Sequence, residues 1–287
     1  MGLLSGLEKF GLEQMDTTNL FEDEKKPKTE QQGQADAPKE EKHLETEFLL
    51  LKSIRCPVCD HVFRTRLVKT GRVKRLEPDF DLRPRFAYID TNKYDVSSCP
   101  KCGYTAINRY FSHITSGQVK LIDQGVHSKF KANTLVNAED ALEAYTYEEA
   151  IEYCKLALYC TMVKKGSTSE KAYECLKLSW LYRGWREKLE SEGTNDRELL
   201  SNVKAEEDAY YKQAYEGFMK AIASESFPMC GMEESTVNIL LANMAFKLEK
   251  YDVSSKLVSA ILTSRVASRS VKDRAMTLKE EIIKKLH

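Results

Sequence analysis

Cys56-Pro57-Val58-Cys59 and Cys99-Pro100-Lys101-Cys102-Gly103-Tyr104 are two C-P-x-C pairs separated by 39 residues. Two residues between thiols let both sulfurs of a tight turn point at one ion. Two such turns facing each other supply the four thiolates of a tetrahedral site. Proline after the first cysteine presets φ, and Gly103 permits the left-handed conformation that turns backbone N–H groups toward sulfur. The pairing therefore predicts a metal site at Cys56, Cys59, Cys99 and Cys102. A disulfide framework fits less well, because residues 1–10 already carry Glu8 and Lys9 and no apolar leader core.

Zinc is the expected ion. Iron is the alternative, since C-P-K-C-G-Y looks like a rubredoxin knuckle, while Asp60 stands in the first pair where a rubredoxin carries glycine. His61 is expected at the surface or behind the ligands. The 39-residue gap exceeds the usual ribbon spacing of about 15–20, so the knuckles bracket an insertion. Phe48–Arg55 and Tyr88–Ser98 read as strands leading into them. Within the insertion, Asp79 and Asp81 share a side if extended. They are expected to pair with Arg83 and Arg85 and hold the loop. Arg75, Asp79, Asp81, Arg83 and Lys101 are candidates for a polar site or for groups supporting the metal ligands. Arg55, Arg64, Arg66 and Lys101 are placed to offset thiolate charge. No nucleophile elbow, phosphate loop or zincin helix occurs, so no catalytic constellation is expected.

The second half repeats one helical face. Tyr147, Ala150, Cys154, Ala157 and Leu158 recur as Tyr211, Ala214, Phe218, Ala221 and Ile222, and again as Tyr251, Ser254, Val258, Ile261 and Leu262. Leu240–Phe246 reads as a partner helix and Glu249-Lys250 as a turn. Ser169–Leu189 is a further helix, followed by a polar loop over Glu190–Lys204. The pattern resembles degenerate tetratricopeptide repeats, with Leu241-Ala242 at the leucine–glycine position and Ser254 at the alanine position. Cys154 is expected to be a buried free thiol, and one of Trp180 and Trp185 to lie inside.

The formal charge of the 287 residues is zero, but unevenly laid out. Residues 1–51 carry −6, residues 52–110 carry +7 and residues 111–287 carry −1. Glu22–Glu47 has almost no large apolar residue and reads as a disordered linker; residues 1–15 read as a weak amphipathic helix. No run is apolar and long enough for a transmembrane segment, and a cytoplasmic protein is expected.

Residues Cys56–Cys59, then Arg75, Asp79 and Asp81, then Tyr94-Asp95-Val96 leading into C-P-K-C-G-Y-T-A, and then degenerate helical repeats, resemble the bacterial domain-of-unknown-function family 2225 over about Arg55–Leu262. The resemblance implies metal ligation by the same four cysteines and assigns no activity. The expected fold is α+β. A disordered acidic tail (1–45) precedes a small β-rich four-cysteine zinc-ribbon or rubredoxin-like module (46–115) and an all-α tetratricopeptide-like repeat domain (116–287). The expected function is a zinc-stabilised adaptor or scaffold that binds a protein partner through its helical repeats. The alternatives are nucleic-acid binding through the basic residues of 52–110, and electron transfer through iron.

Overall fold

Each C-P-x-C pair is the turn of a two-stranded antiparallel hairpin. Strands β1 (Leu49–Arg55) and β2 (Val62–Val68) pair with Arg55 opposite Val62, so the chain reverses through Cys56–His61. Strands β3 (Val96–Ser98) and β4 (Thr105–Ile107) pair with Ser98 opposite Thr105 and reverse through Cys99–Tyr104. The computed structural model describes residues 43–130 and 142–286. The terminal helix expected within 1–15, and the linker as far as residue 42, lie outside the described residues. The last residues assigned to that linker are folded. Glu45–Phe48 forms a 3-10 turn, and Glu45 receives a 2.6 Å bond from the buried Lys93 ammonium.

The second lead-in strand is shorter than expected. Only Val96–Ser98 is extended; Thr91–Tyr94 is a 3-10 turn capped by Asp90, whose carboxylate accepts from the Asn92 amide. An aspartate that caps a turn competes locally with strand pairing, and here the turn wins.

Short helices α1 (Asn108–Phe111) and α2 (Ser116–Ile122) follow β4. Then come the long helices α3 (Tyr147–Val163), α4 (Thr168–Ser191), α5 (Arg197–Ser224), α6 (Glu234–Lys247), α7 (Tyr251–Thr263) and α8 (Arg269–Leu286). Their starts are written in the sequence. Thr146 and Glu149 form a reciprocal capping box on α3, Ser167 caps α4, and Asp196 caps α5. The Asp196 cap explains why α5 begins inside the stretch expected as a polar loop over 190–204: its first turns expose Arg197, Glu198, Ser201 and Asn202 and turn Leu199 and Val203 into the core.

The repeated face is the packed face. Ala150, Cys154 and Ala157, then Ala214, Phe218 and Ala221, then Ser254, Val258 and Ile261, are all buried. Ser254 donates its hydroxyl to the Ala242 carbonyl at 2.8 Å, so α6 and α7 touch at the small position in each. A Cβ on Gly217 would lie 2.7 Å from that of Ala172, which places α5 directly on α4. Trp180 is buried and Trp185 half-buried, as their five-residue spacing requires.

The cysteine module and the helices share their core. Val96 and Ile107 of the second hairpin join Ala150, Ile151, Cys154 and Ala157 of α3 in one apolar cluster. Lys177 of α4 reaches back to Asp95 at 2.7 Å. Residues from His43 onward accordingly form a single compact unit.

Candidate metal centre

The sulfurs of Cys56, Cys59, Cys99 and Cys102 all lie within 4.8 Å of one another. Cys56 to Cys102 and Cys59 to Cys99 are each 3.6 Å apart. A tetrahedron with metal–sulfur bonds of about 2.3 Å has edges of about 3.8 Å. The four sulfurs are therefore already spaced for one ion, and among the described residues they are the group that fits one.

The two knuckles are built alike. The amide of Cys56 donates to the His61 carbonyl at 2.8 Å and that of Asp60 to the Cys56 carbonyl at 3.0 Å. The amide of Cys99 donates to the Tyr104 carbonyl at 2.9 Å and that of Gly103 to the Cys99 carbonyl at 2.9 Å. The fifth residue of each turn is left-handed, Asp60 at φ 59° and Gly103 at φ 75°. Aspartate tolerates that region better than most residues with a Cβ, so the first knuckle closes without glycine. The second has a further reason for glycine: a Cβ there would meet the Phe130 ring at 2.4 Å. In the first turn the Val58 amide also points at the Cys56 sulfur, 3.4 Å away.

Three of the four cysteines are buried and Cys59 is partly so. Packed this closely, the sulfurs compete for protons. Bonds from Cys102 and Cys56 hold the Cys99 thiol far below its ordinary value, while bonds to Cys56 and Cys99, with burial, push Cys102 far above it. A divalent cation would replace that proton sharing with four equivalent thiolates. Around the sulfurs pack Phe63, Tyr104, Ala106, Phe111, Ile122 and Val126, together with Cys160 from α3. Cys160 points its thiol at the Gly103 carbonyl, 3.6 Å away, and burial pushes it up to about 11. Sequence reading had no signal for this contact, which spans 57 residues. His61 is half-buried and stacks on Phe63.

The remaining candidates divide. Lys101 is exposed on the second knuckle. Arg75 is exposed and bridges through its backbone to Phe86 at the base of a ribbon. That ribbon, residues 75–86, is a strap. The Leu76 amide donates to Arg85, that of Asp79 to Arg83, and that of Leu82 back to Asp79. At its tip Asp79 pairs with Arg83 and Arg85 at 3.5 and 3.8 Å, as expected. Asp81 does not pair with either. It takes two bonds from the α4 guanidinium of Arg183, at 3.1 and 2.6 Å, while Arg83 donates to Glu187 of α4 at 2.5 Å. The charged tip thus turns into the helical array: Asp79 also meets Arg183, at 3.2 Å, so both aspartates of the tip share this one buried guanidinium.

Arg183 also donates to Glu207 of α5 at 3.0 Å, and Lys247 of α6 reaches the same Glu207 oxygen at 3.1 Å. Burial works against Glu207 ionising, but Lys247 and Arg183 overcome it and hold the carboxyl down at about 2. Burial also opposes the Asp81 charge, and the Arg183 bonds still keep its carboxyl below the usual range. The 102-residue gap between Asp81 and Arg183 hid this cluster from sequence reading.

A family model described as "Uncharacterized protein conserved in bacteria (DUF2225)" matches residues 49–282. A protein of Borreliella burgdorferi, described as an uncharacterized protein, is 24% identical over 181 residues. That match covers 58% of this chain and 62% of the relative's length. No solved structure matches.

Proposed function

The chain belongs to the DUF2225 family of uncharacterized bacterial proteins, and we propose that it is a zinc-stabilised scaffold whose helical repeats hold a protein partner. The observation that carries the metal half is the convergence of four sulfurs within 4.8 Å at the turns of two hairpins. Cys56, Cys59, Cys99 and Cys102 would hold the ion. Four thiolates on Zn²⁺ leave the site at about −2, and it has no open coordination position for a substrate. The ion's role is then to tie together two short hairpins that bury little surface of their own. The α-helices support the other half: α6, α7 and α8 follow one another through short turns, with small residues at their contacts, as interaction repeats do.

Metal analysis of the purified chain tests the first half. One zinc per chain and a colourless solution support it; one iron and a red solution replace it with the electron-transfer reading. Crosslinking of the intact chain in lysate tests the second half, and its absence of any specific partner would remove the scaffold.

Nucleic-acid binding is the second reading. Lys52, Arg55, Arg72, Lys74 and Arg75 are exposed along and beyond the first hairpin. The basic surplus is smaller in the fold than in the sequence, since Arg66, Arg83 and Lys93 are buried against Tyr145, Glu187 and Glu45. Filter binding at two salt concentrations separates the readings, because phosphate contacts give steep salt dependence.

A further inference from the structure

The strap lies against the helical array. Asp81 is bound by Arg183 of α4, and Glu77 by Arg274 of α8 at 2.6 Å. Leu82 packs against both apolar clusters of the array, the one built on α4, α5 and α6 and the one built on α6, α7 and α8. Its backbone is left-handed, φ 66°, in the bulge position that hairpins usually give to glycine. A branched residue there costs on the order of 1–2 kcal/mol, so the side chain's burial holds the strap against local strain.

Beside the strap an open cavity of about 740 Å³ runs between Pro78 and Phe80 on one side and Asn243, Phe246, Lys247 and Thr277 on the other. Phe80 is 64% exposed at its rim. Lys247 stands over the Tyr211 ring at 4.2 Å and gives one bond to Glu207, out of three N–H groups.

We propose that this groove is a binding site for a protein segment of the pattern acidic–any–acidic–aliphatic, that Asp79-Phe80-Asp81-Leu82 occupies it in cis, and that a partner's segment enters through the cavity and displaces the strap. This deepens the scaffold reading and rests on it. Three features point to that partner chemistry. The strap is itself a bound example, with carboxylate on guanidinium and leucine between apolar helices. Arg183, Lys247 and Arg274 line the same cavity, three cations beside the strap's carboxylates. The cavity gives an incoming chain a foothold at Lys247 and Phe246 before the strap has left. Displacement then exchanges like contacts for like, and release of the left-handed Leu82 favours the partner.

The test uses the full metal-loaded chain and an end-labelled, end-blocked peptide Glu-Pro-Asp-Phe-Asp-Leu followed by anisotropy. Saturable binding is expected, at least tenfold tighter to Leu82→Ala, about fivefold weaker to Lys247→Gln, and lost when both peptide aspartates are asparagine. Amide exchange over residues 77–85 should rise on binding. No saturable binding to wild type or Leu82→Ala, with metal content and helical circular dichroism intact, overturns the proposal. So does binding without faster exchange, which would make the cavity a separate site. The scaffold reading is judged apart from this: a crosslinked partner retained equally by Lys247→Gln removes the groove and leaves the scaffold, whereas no partner for wild type removes the scaffold.

Discussion

Two regions of this protein gather charge away from water, and they neutralise it by different means. At the hairpin turns four sulfurs converge, and Arg55, one of the cations expected to offset their charge, pairs instead with Asp60 at 3.5 Å, both exposed. Under the strap, Asp81 and Glu207 converge on Arg183, a cation that the chain supplies itself. The first region could take an ion from outside, whereas the second draws its cations from the fold itself. Between them lies a third solution, since the buried Glu174 of α4 is held by a proton, its carboxyl pushed up by burial to about 8 against the Thr161 hydrogen bond.

The contrast predicts unequal responses. Metal removal, or Cys99→Ser, should cost the hairpins on the order of 10 kcal/mol of folding free energy. Amide protection in 49–68 and 96–107 is expected to vanish, with α5–α8 keeping theirs. Protection retained in both hairpins after strong chelation would mean that their packing on α3 suffices without an ion. Arg183→Ala leaves Asp81 buried without its cation, while Glu207 keeps Lys247 and Arg186, and should cost about 3–5 kcal/mol in a urea titration. It should leave metal content unchanged, so loss of both together would show the two regions to be one.

Glu174 gives a pH test. Its folded value, about 8, lies above its ordinary 4.5, so the folded state keeps a proton that the unfolded chain releases. Stability therefore falls as pH rises from 4.5 to 8 and levels off above. Glu174→Gln should remove that fall, a difference on the order of 4 kcal/mol at pH 8 and near zero at pH 4. Equal slopes for wild type and variant would place the proton elsewhere.

The smallest effects separate the two knuckles. Gly103→Ala meets both a left-handed backbone and the Phe130 ring, and should cost about 2 kcal/mol or more. Asp60→Gly should be near neutral, within about 0.5 kcal/mol, since relief of backbone strain is set against added chain entropy and loss of the exposed Arg55 pair. The pair of variants, read by metal affinity, tests whether the knuckles are equivalent in energy as they are in hydrogen bonding.

Much of the site was legible before any coordinates. The C-P-x-C pairs and Gly103 announce a ligand turn because that turn closes within six residues, and its geometry is local. The helix faces were legible for a similar reason, since Tyr147, Tyr211 and Tyr251 each open an apolar stripe of period 3.6. The strand expected over Tyr88–Ser98 was mostly a turn, because Asp90 captures the Asn92 amide more cheaply than a neighbouring strand could.

What the residue order settled alone, then, is the set of short-range structures: two sulfur turns, the capped helices and the stripe each helix buries. Where the Asp79–Leu82 tip goes was settled by long-range packing. Asp81 had Arg83 and Arg85 within four residues and took neither. Arg83 is buried as deeply as Arg183, so burial alone did not choose the partner; the two-bond approach of a guanidinium to Asp81 comes from α4, 102 residues later, a geometry that only the packing of the strap on that helix supplies.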